Sequence, residues 1–292
     1  MRKRTIIYIS GEGHSGTTML DAVLGNHKNT FSSGELTNFV KKGIINREYC
    51  ACGRPVPECK VWSEIIKEWD KKRVLSLEKY IQIQNKLTSK KNIVSSLVAL
   101  KKGSGEISEF LRDTNKLYDA IFNITGSQII VDSSKTPGRI LILKQLDFNV
   151  QVLHLVRRFG DVLNSYKKHT PKNLKEGVEY EIRPLNSIYV LLSWLVKNLL
   201  TYFFSKDLSY KKIKYENLVI NPLKELSFFV EDSEQFINKL TDRGPFELKH
   251  LVAGNKIRMK ENLYIAEKPM GTSLHRLNRA DRVMAKFVDF FY

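Results

Sequence analysis

Cysteine is scarce in this 292-residue chain, with three residues in all. Three are too few for a disulfide scaffold, so an interior held by burial in a reducing compartment is expected, and with it a cytoplasmic location. Long apolar runs are scarce too. The opening Met1-Arg2-Lys3-Arg4 is basic, but only Thr5-Ile6-Ile7-Tyr8-Ile9 follows before Ser10-Gly11, shorter than the apolar stretch of a signal peptide. The longest apolar tract, 188–204, is interrupted by Lys197-Asn198 and falls short of the roughly 20 residues of a membrane-spanning helix, so it reads as a buried helix. Acidic residues are in deficit: 31 Asp and Glu face 48 Lys and Arg, a net charge of +17. That balance favours anionic partners, among them nucleotides, acidic glycans, nucleic acid and anionic membrane. Core material is not lacking. With 42% hydrophobic and 27% charged residues the composition excludes a disordered chain.

Strand and helix patterns alternate. Residues 5–9 read as a buried strand, a glycine-rich turn follows, and 17–24 carry a helical pattern. Strands are expected again at 128–131, 150–156 and 212–215, with helices at 138–146, 161–168 and, after the Asn221-Pro222 break, 223–231. This grammar predicts an α/β fold, a central parallel sheet flanked by helices on both faces. About a hundred residues between the first unit and the strand at 128 show no convincing strand. They read as a helical insertion over about 37–126, between the first and second strands, with helices near 61–69, 77–87 and 107–124 and a mobile loop at Lys101-Lys102-Gly103-Ser104-Gly105. The whole chain, 1–292, reads as one domain carrying a helical subdomain.

The turn Gly11-Glu12-Gly13-His14-Ser15-Gly16-Thr17-Thr18 lies where backbone N–H groups and the positive end of a helix dipole converge, a place that binds phosphate. Gly11 and Gly16 have the spacing of a triphosphate-binding loop, yet Thr17 stands where such a loop has the lysine that reaches the β- and γ-phosphates. A second constellation follows strand 150–156: Arg157 at its carboxyl end and Ser165 in the next helical pattern, able to hold a second phosphate. In open parallel sheets ligands bind at the carboxyl ends of strands, so both phosphates can belong to one ligand in one crevice. A 3′,5′-bisphosphorylated adenosine presents them that way.

At this point the chain resembles the sulfotransferases that use 3′-phosphoadenosine 5′-phosphosulfate, more the bacterial members than the animal cytosolic ones. The resemblance runs through His14-Ser15-Gly16-Thr17-Thr18, Ser33-Gly34-Glu35-Leu36, Asp132-Ser133-Ser134-Lys135, Arg157 with Ser165, Tyr215-Glu216-Asn217-Leu218, and His250 through Gly254-Asn255 to Arg258, in the family's order over most of the chain. It implies a three-layer P-loop-like fold and transfer of a sulfuryl group from that donor to an acceptor hydroxyl, on a carbohydrate or glycolipid, releasing adenosine 3′,5′-bisphosphate without a required metal. Gly13, His14, Ser15, Gly16, Thr17 and Thr18 would surround the 5′-phosphate, Arg157 and Ser165 the 3′-phosphate, and Gly254, Asn255 and Arg258 would close over the nucleotide. Typical members carry Lys or Arg where this chain has His14.

Three residues would serve the chemistry. Glu35 would accept the acceptor's proton, Lys135 would stabilise charge on the departing oxygen, and His14 would donate to the same oxygens, its charged form favoured by a nearby anion. Tyr215-Glu216 reads as structural, and Arg276, Arg279 and Arg282 as a solvated helix face. Cys50, Cys52 and Cys59 read as free thiols. A local disulfide and a metal site are the other readings, the latter lacking a fourth ligand nearby in sequence. Trp62 and Trp69 read as core. Partners are then a nucleotide donor and a hydroxyl-bearing acceptor, with peripheral membrane contact open and nucleic acid not expected. A small-metabolite phosphotransferase is the alternative enzyme, and a basic nucleic-acid or membrane-surface module the alternative outside catalysis.

Overall fold

In the computed structural model, which describes residues 4–103, 105–173, 178, 180–229, 233–269 and 274–292, the chain opens with β1 (Thr5–Ser10), α1 (Thr17–Leu24) and β2 (Thr30–Gly34). A helical region follows: α2 (Leu36–Asn38), α3 (Lys60–Asp70), α4 (Leu77–Thr88), α5 (Ile93–Lys102) and α6 (Glu106–Thr125). The alternation then resumes with β3 (Ile129–Lys135), α7 (Pro137–Leu143), β4 (Asn149–Val156), α8 (Phe159–Tyr166), α9 (Ser187–Phe204), β5 (Ser209–Lys214) and α10 (Tyr215–Ile220). The remainder holds α11 (Pro222–Glu225), α12 (Glu234–Thr241), the short strands β6 (Phe246–Glu247) and β7 (Asn262–Leu263), and α13 (Arg279–Phe290). Residues 1–3, Ser104 of the expected loop and the end of the expected 223–231 helix lie outside the described residues.

The first five strands form one parallel sheet in the order β2-β3-β1-β4-β5. Its inner strands β3, β1 and β4 are buried on both faces, with alternate side chains entering different cores, while β5 at the edge buries Ile213 alone. Ile6, Tyr8, Ile130 and Val152 meet the helical region, including Trp62 and Trp69, while Ile7, Ile9, Val131, Leu153 and Leu155 meet Leu20 and Val23 of α1 and Leu218 of α10. A further cluster joins Phe159 and Leu163 of α8 to Val190 and Trp194 of α9 and Ala285 of α13. This is the helix, sheet, helix layering the alternating pattern predicts. Both tryptophans are core residues: Trp62 Nε1 donates to the His250 carbonyl at 2.6 Å and Trp69 Nε1 to the Asp113 carbonyl at 2.8 Å.

Three expectations need correction. The helical region does not follow the first strand: β2, Thr-Phe-Ser-Ser-Gly, pairs with β3 and comes before it. Serine hydroxyls hide that strand from a hydrophobic pattern, because they find internal acceptors, Ser32 on Asp21 and Ser33 on the Val131 carbonyl at 2.6 Å. Nor is the 188–204 tract a buried helix. α9 packs through Val190, Trp194, Thr201 and Phe204, leaving Ile188, Leu192, Leu195, Leu199 and Phe203 exposed. Among the described residues it is the one helix long and apolar enough to cross a membrane. Helix 223–231 shortens to α11 and a 3₁₀ turn at Ser227–Phe229.

Candidate active site at the carboxyl ends of the strands

The register brings the strand ends together. Ser10 of β1 stands opposite Lys135 on one side and His154 on the other, and Gly34 of β2 opposite Asp132. Whatever follows each strand therefore meets at one edge of the sheet.

After β1 the chain turns through the glycine loop. Glu12 anchors it: the buried carboxylate accepts from the Gly13 N–H at 2.8 Å, Tyr166 Oη at 2.9 Å, Ser193 Oγ at 2.6 Å and Lys197 Nζ at 2.6 Å. Burial alone would raise this carboxyl, and Lys197 with the other donors brings it below its ordinary value. Gly16 caps α1 with φ 94°, and a Cβ there would lie 2.6 Å from the Tyr215 ring, so backbone conformation and packing both require glycine. His14, φ 64°, stands edge-on to Tyr166 with centroids 4.5 Å apart. Burial, then the charges of Lys135 and Arg157, push the His14 imidazole down to about 4, so without a bound anion it is uncharged at neutral pH. Ser15 is fully buried and its hydroxyl has no hydrogen-bond partner.

β4 delivers Arg157 to the same loop. One guanidinium nitrogen donates to the His14 carbonyl at 2.9 Å, and the guanidinium carbon lies 4.5 Å from the Tyr215 ring centroid. Arg157 Nε is buried without a partner. Ser165 is on α8, one element later, but its hydroxyl donates to the Asp161 carbonyl at 2.9 Å rather than toward Arg157.

Across β1, the ends of β2 and β3 bring Glu35 and Lys135 into an ion pair, Lys135 Nζ on Glu35 Oε1, with Asn38 Nδ2 donating to Oε2 at 2.6 Å. Burial raises the Glu35 carboxyl, and the charge and hydrogen bond of Lys135 more than reverse it, leaving Glu35 below the usual carboxylate range. The residues before Lys135 fix its place, each tied to a different element. Asp132 accepts from Tyr118 Oη at 2.6 Å and faces buried Arg139 at 3.8 Å. Ser133 Oγ donates to Asp21 at 2.6 Å, and Ser134 Oγ accepts the Thr37 N–H at 2.9 Å. With these residues held on one flank and the Thr136 carbonyl held by Tyr8 Oη at 2.7 Å on the other, Lys135 adopts φ 65°, a left-handed conformation that costs a residue with a side chain about 1 kcal/mol or more.

Residues 250–258 complete the rim. Val252 pairs in parallel with Gly34, its N–H on the Ser33 carbonyl at 3.0 Å and its carbonyl accepting the Glu35 N–H at 2.8 Å. Gly254, φ 93°, follows, where a Cβ would sit 3.3 Å from both Glu35 Oε1 and Thr18 Oγ1. The Asn255 N–H donates to Thr18 Oγ1 at 3.4 Å, and buried Arg258 donates to the Gly254 carbonyl at 3.2 Å. Beside His14, Gly254, Asn255 and Arg258 opens a cavity of about 160 Å³ whose far wall includes Lys42, Glu48, Thr170 and Tyr180.

The glycine loop, Arg157, Glu35, Lys135 and residues 254–258 thus gather at one end of the sheet, with Ser165 turned aside. Sequence reasoning missed Asp21 and Glu12, whose buried acids organise the site; Tyr215, read as structural, packs between Gly16 and Arg157. The signal for Asp21 was a lone acid in an otherwise apolar helical stretch. It also found no fourth ligand for the cysteines. The structure corrects this: the three thiols are free, and His250 joins them from 191 residues beyond Cys59.

No family model and no curated protein matches the chain. Among solved structures it is similar to a sulfotransferase domain from the curacin biosynthetic pathway, at 18% identity over 98% of this chain and 91% of that one, with a TM-score of 0.47. It is also similar to a sulfotransferase domain from the Synechococcus PCC 7002 olefin synthase, at 14% identity over 99% of this chain and 95% of that one, with a TM-score of 0.48.

Proposed function

We propose that this chain is a sulfotransferase moving the sulfuryl group of 3′-phosphoadenosine 5′-phosphosulfate to a hydroxyl of a carbohydrate or glycolipid. One observation carries the reading: Arg157 is bonded to the glycine loop at His14, and two buried donors at that junction, Ser15 Oγ and Arg157 Nε, have no partner. A buried unsatisfied donor costs about 1–3 kcal/mol, and a doubly phosphorylated ligand would relieve both. Thr17 in place of the loop lysine favours a bisphosphate over a nucleoside triphosphate.

In this reading the amides of Ser15, Gly16 and Thr17 with the Thr17 and Thr18 hydroxyls hold the 5′-phosphate, and Gly13 gives the loop its clearance. Arg157 holds the 3′-phosphate, joined by Ser165 once its hydroxyl leaves the Asp161 carbonyl. Gly254, Asn255 and Arg258 close over the nucleotide. The acceptor oxygen bonds to sulfur as the bond between sulfur and the 5′-phosphate oxygen breaks. Glu35, kept ionised by Lys135, takes the acceptor's proton, while Lys135 and a His14 N–H meet the negative charge on the departing phosphate. The cavity wall mixes Lys42, Glu48 and Thr170 with Val178, Tyr180 and Ile182, which suits an acceptor presenting hydroxyls on an apolar frame, such as a sugar ring or glycolipid.

Thermal unfolding tests the donor site. Adenosine 3′,5′-bisphosphate should raise the melting temperature, ATP with Mg²⁺ should not, and Arg157→Ala should lose the shift. A shift with ATP and Mg²⁺ alone, or one untouched by Arg157→Ala, would overturn the reading. Transfer of labelled sulfate to a panel of glycans, lipids and phenols then identifies the acceptor.

A further inference from the structure

At the start of the 250–258 segment, four metal-ligating side chains come together from three parts of the chain. Cys50 and Cys52 lie on a tight turn closed by the Cys50 N–H on the Arg54 carbonyl at 2.8 Å and the Gly53 N–H on the Cys50 carbonyl at 2.9 Å. Cys59 immediately precedes α3, and His250 arrives from the far end of the chain. His250 Nδ1 lies 3.3 Å from Cys59 Sγ and 3.9 Å from Cys50 Sγ, and the four donor atoms all fall within 4.8 Å of one another.

We propose that Cys50, Cys52, Cys59 and His250 bind one zinc ion in a closed tetrahedral site. With Zn–S near 2.3 Å and Zn–N near 2.0–2.1 Å, tetrahedral ligand atoms stand about 3.5–3.8 Å apart, so the cluster needs only a small contraction to close on the ion. Three sulfurs and one imidazole, with no carboxylate in the group, are a donor set that selects zinc over hard cations. A disulfide would use two of the thiols and leave the third and the imidazole facing it. Four protein ligands leave no open position, so the ion is structural and takes no part in chemistry. Its work is to join the 50–59 turn to the segment ending at Gly254, a junction also made by Trp62 Nε1 on the His250 carbonyl, the Ala51 N–H on the Leu251 carbonyl at 3.1 Å, and the pairing of Cys50 with Val252. The proposal stands whichever reaction the neighbouring site performs.

The test is elemental analysis of the full-length, untagged protein, purified without chelators after expression in zinc-supplemented medium. About one zinc per chain is expected, released in step as a mercurial reagent titrates the thiols. Cobalt in its place should give thiolate-to-metal charge-transfer absorption and tetrahedral ligand-field bands. Cys52→Ser, at an exposed position, and His250→Ala should lose most of the zinc while keeping a native circular dichroism spectrum. A wild-type protein without zinc whose three thiols titrate freely, or which holds two of them in a disulfide by mass spectrometry, would overturn the proposal. So would full zinc content in both variants.

Discussion

Glu35 and Lys135 hold each other before any substrate arrives, and this shapes what either can do. A carboxylate kept ionised by an adjacent ammonium is ready to take a proton, and an ammonium held by a carboxylate has a fixed position. Glu35→Gln should leave affinity for adenosine 3′,5′-bisphosphate unchanged and lower kcat by roughly 100-fold or more in a sulfate-transfer assay. Near-normal turnover would exclude Glu35 as the base. Because Lys135 depresses the Glu35 carboxyl, its charged form is lost only as pH falls below the ordinary glutamate value of about 4.3. The acid limb of kcat/KM for the wild type belongs below that value. Both residues stand out in the sequence as candidates, one in Ser33-Gly34-Glu35 and one in Asp132-Ser133-Ser134-Lys135. Their pairing was not, since it depends on β2 lying beside β3, and β2 reads as a polar stretch.

Asp21 does for the elements what the ion pair does for the side chains. From α1 it accepts from Ser32 and Gly34 on β2 and from Ser133 on β3, locking the helix behind the glycine loop to the two strands that end in Glu35 and Lys135. Burial outweighs these hydrogen bonds and pushes the Asp21 carboxyl up to about 7. The folded protein therefore binds a proton here that the unfolded chain releases near 3.9, and this contribution to stability is full at low pH and falls as pH rises toward 7. Asp21→Asn can satisfy the same serines and glycine without ionising. Denaturant unfolding should show wild-type stability declining relative to the variant by about 1 kcal/mol per pH unit between roughly pH 5 and 7. Parallel pH profiles would refute it. Elements whose burial is written in apolar runs, β1 and α1 above all, were readable from the sequence almost to the residue. α9 was misread because a run of apolar residues does not reveal which side another element will cover.

Seen whole, the molecule sets a strongly basic composition beside an uncovered apolar helix. Leu192 and Leu199 are 55% and 56% exposed, whereas Trp194 between them is 8% exposed in the cluster with Phe159. Leu192→Ser with Leu199→Ser should move the melting temperature by no more than about 2 °C, while Trp194→Ala should cost about 3–5 kcal/mol in the same unfolding measurements. Equal losses would show that the outer face is covered after all. The meeting of His250 with three cysteines belongs to the whole molecule too: no local reading joins residues 191 positions apart. Val252, laid along Ser33, Gly34 and Glu35, has an effect reaching past the candidate site. It occupies the outermost margin of the sheet, where a bare strand would offer its amides and carbonyls to a neighbouring molecule. The ribbon that finishes the rim of the candidate site therefore also covers the free margin of β2 at residues 33–35, and a lesion that detached it would open those amides and carbonyls to strand-to-strand pairing with another molecule.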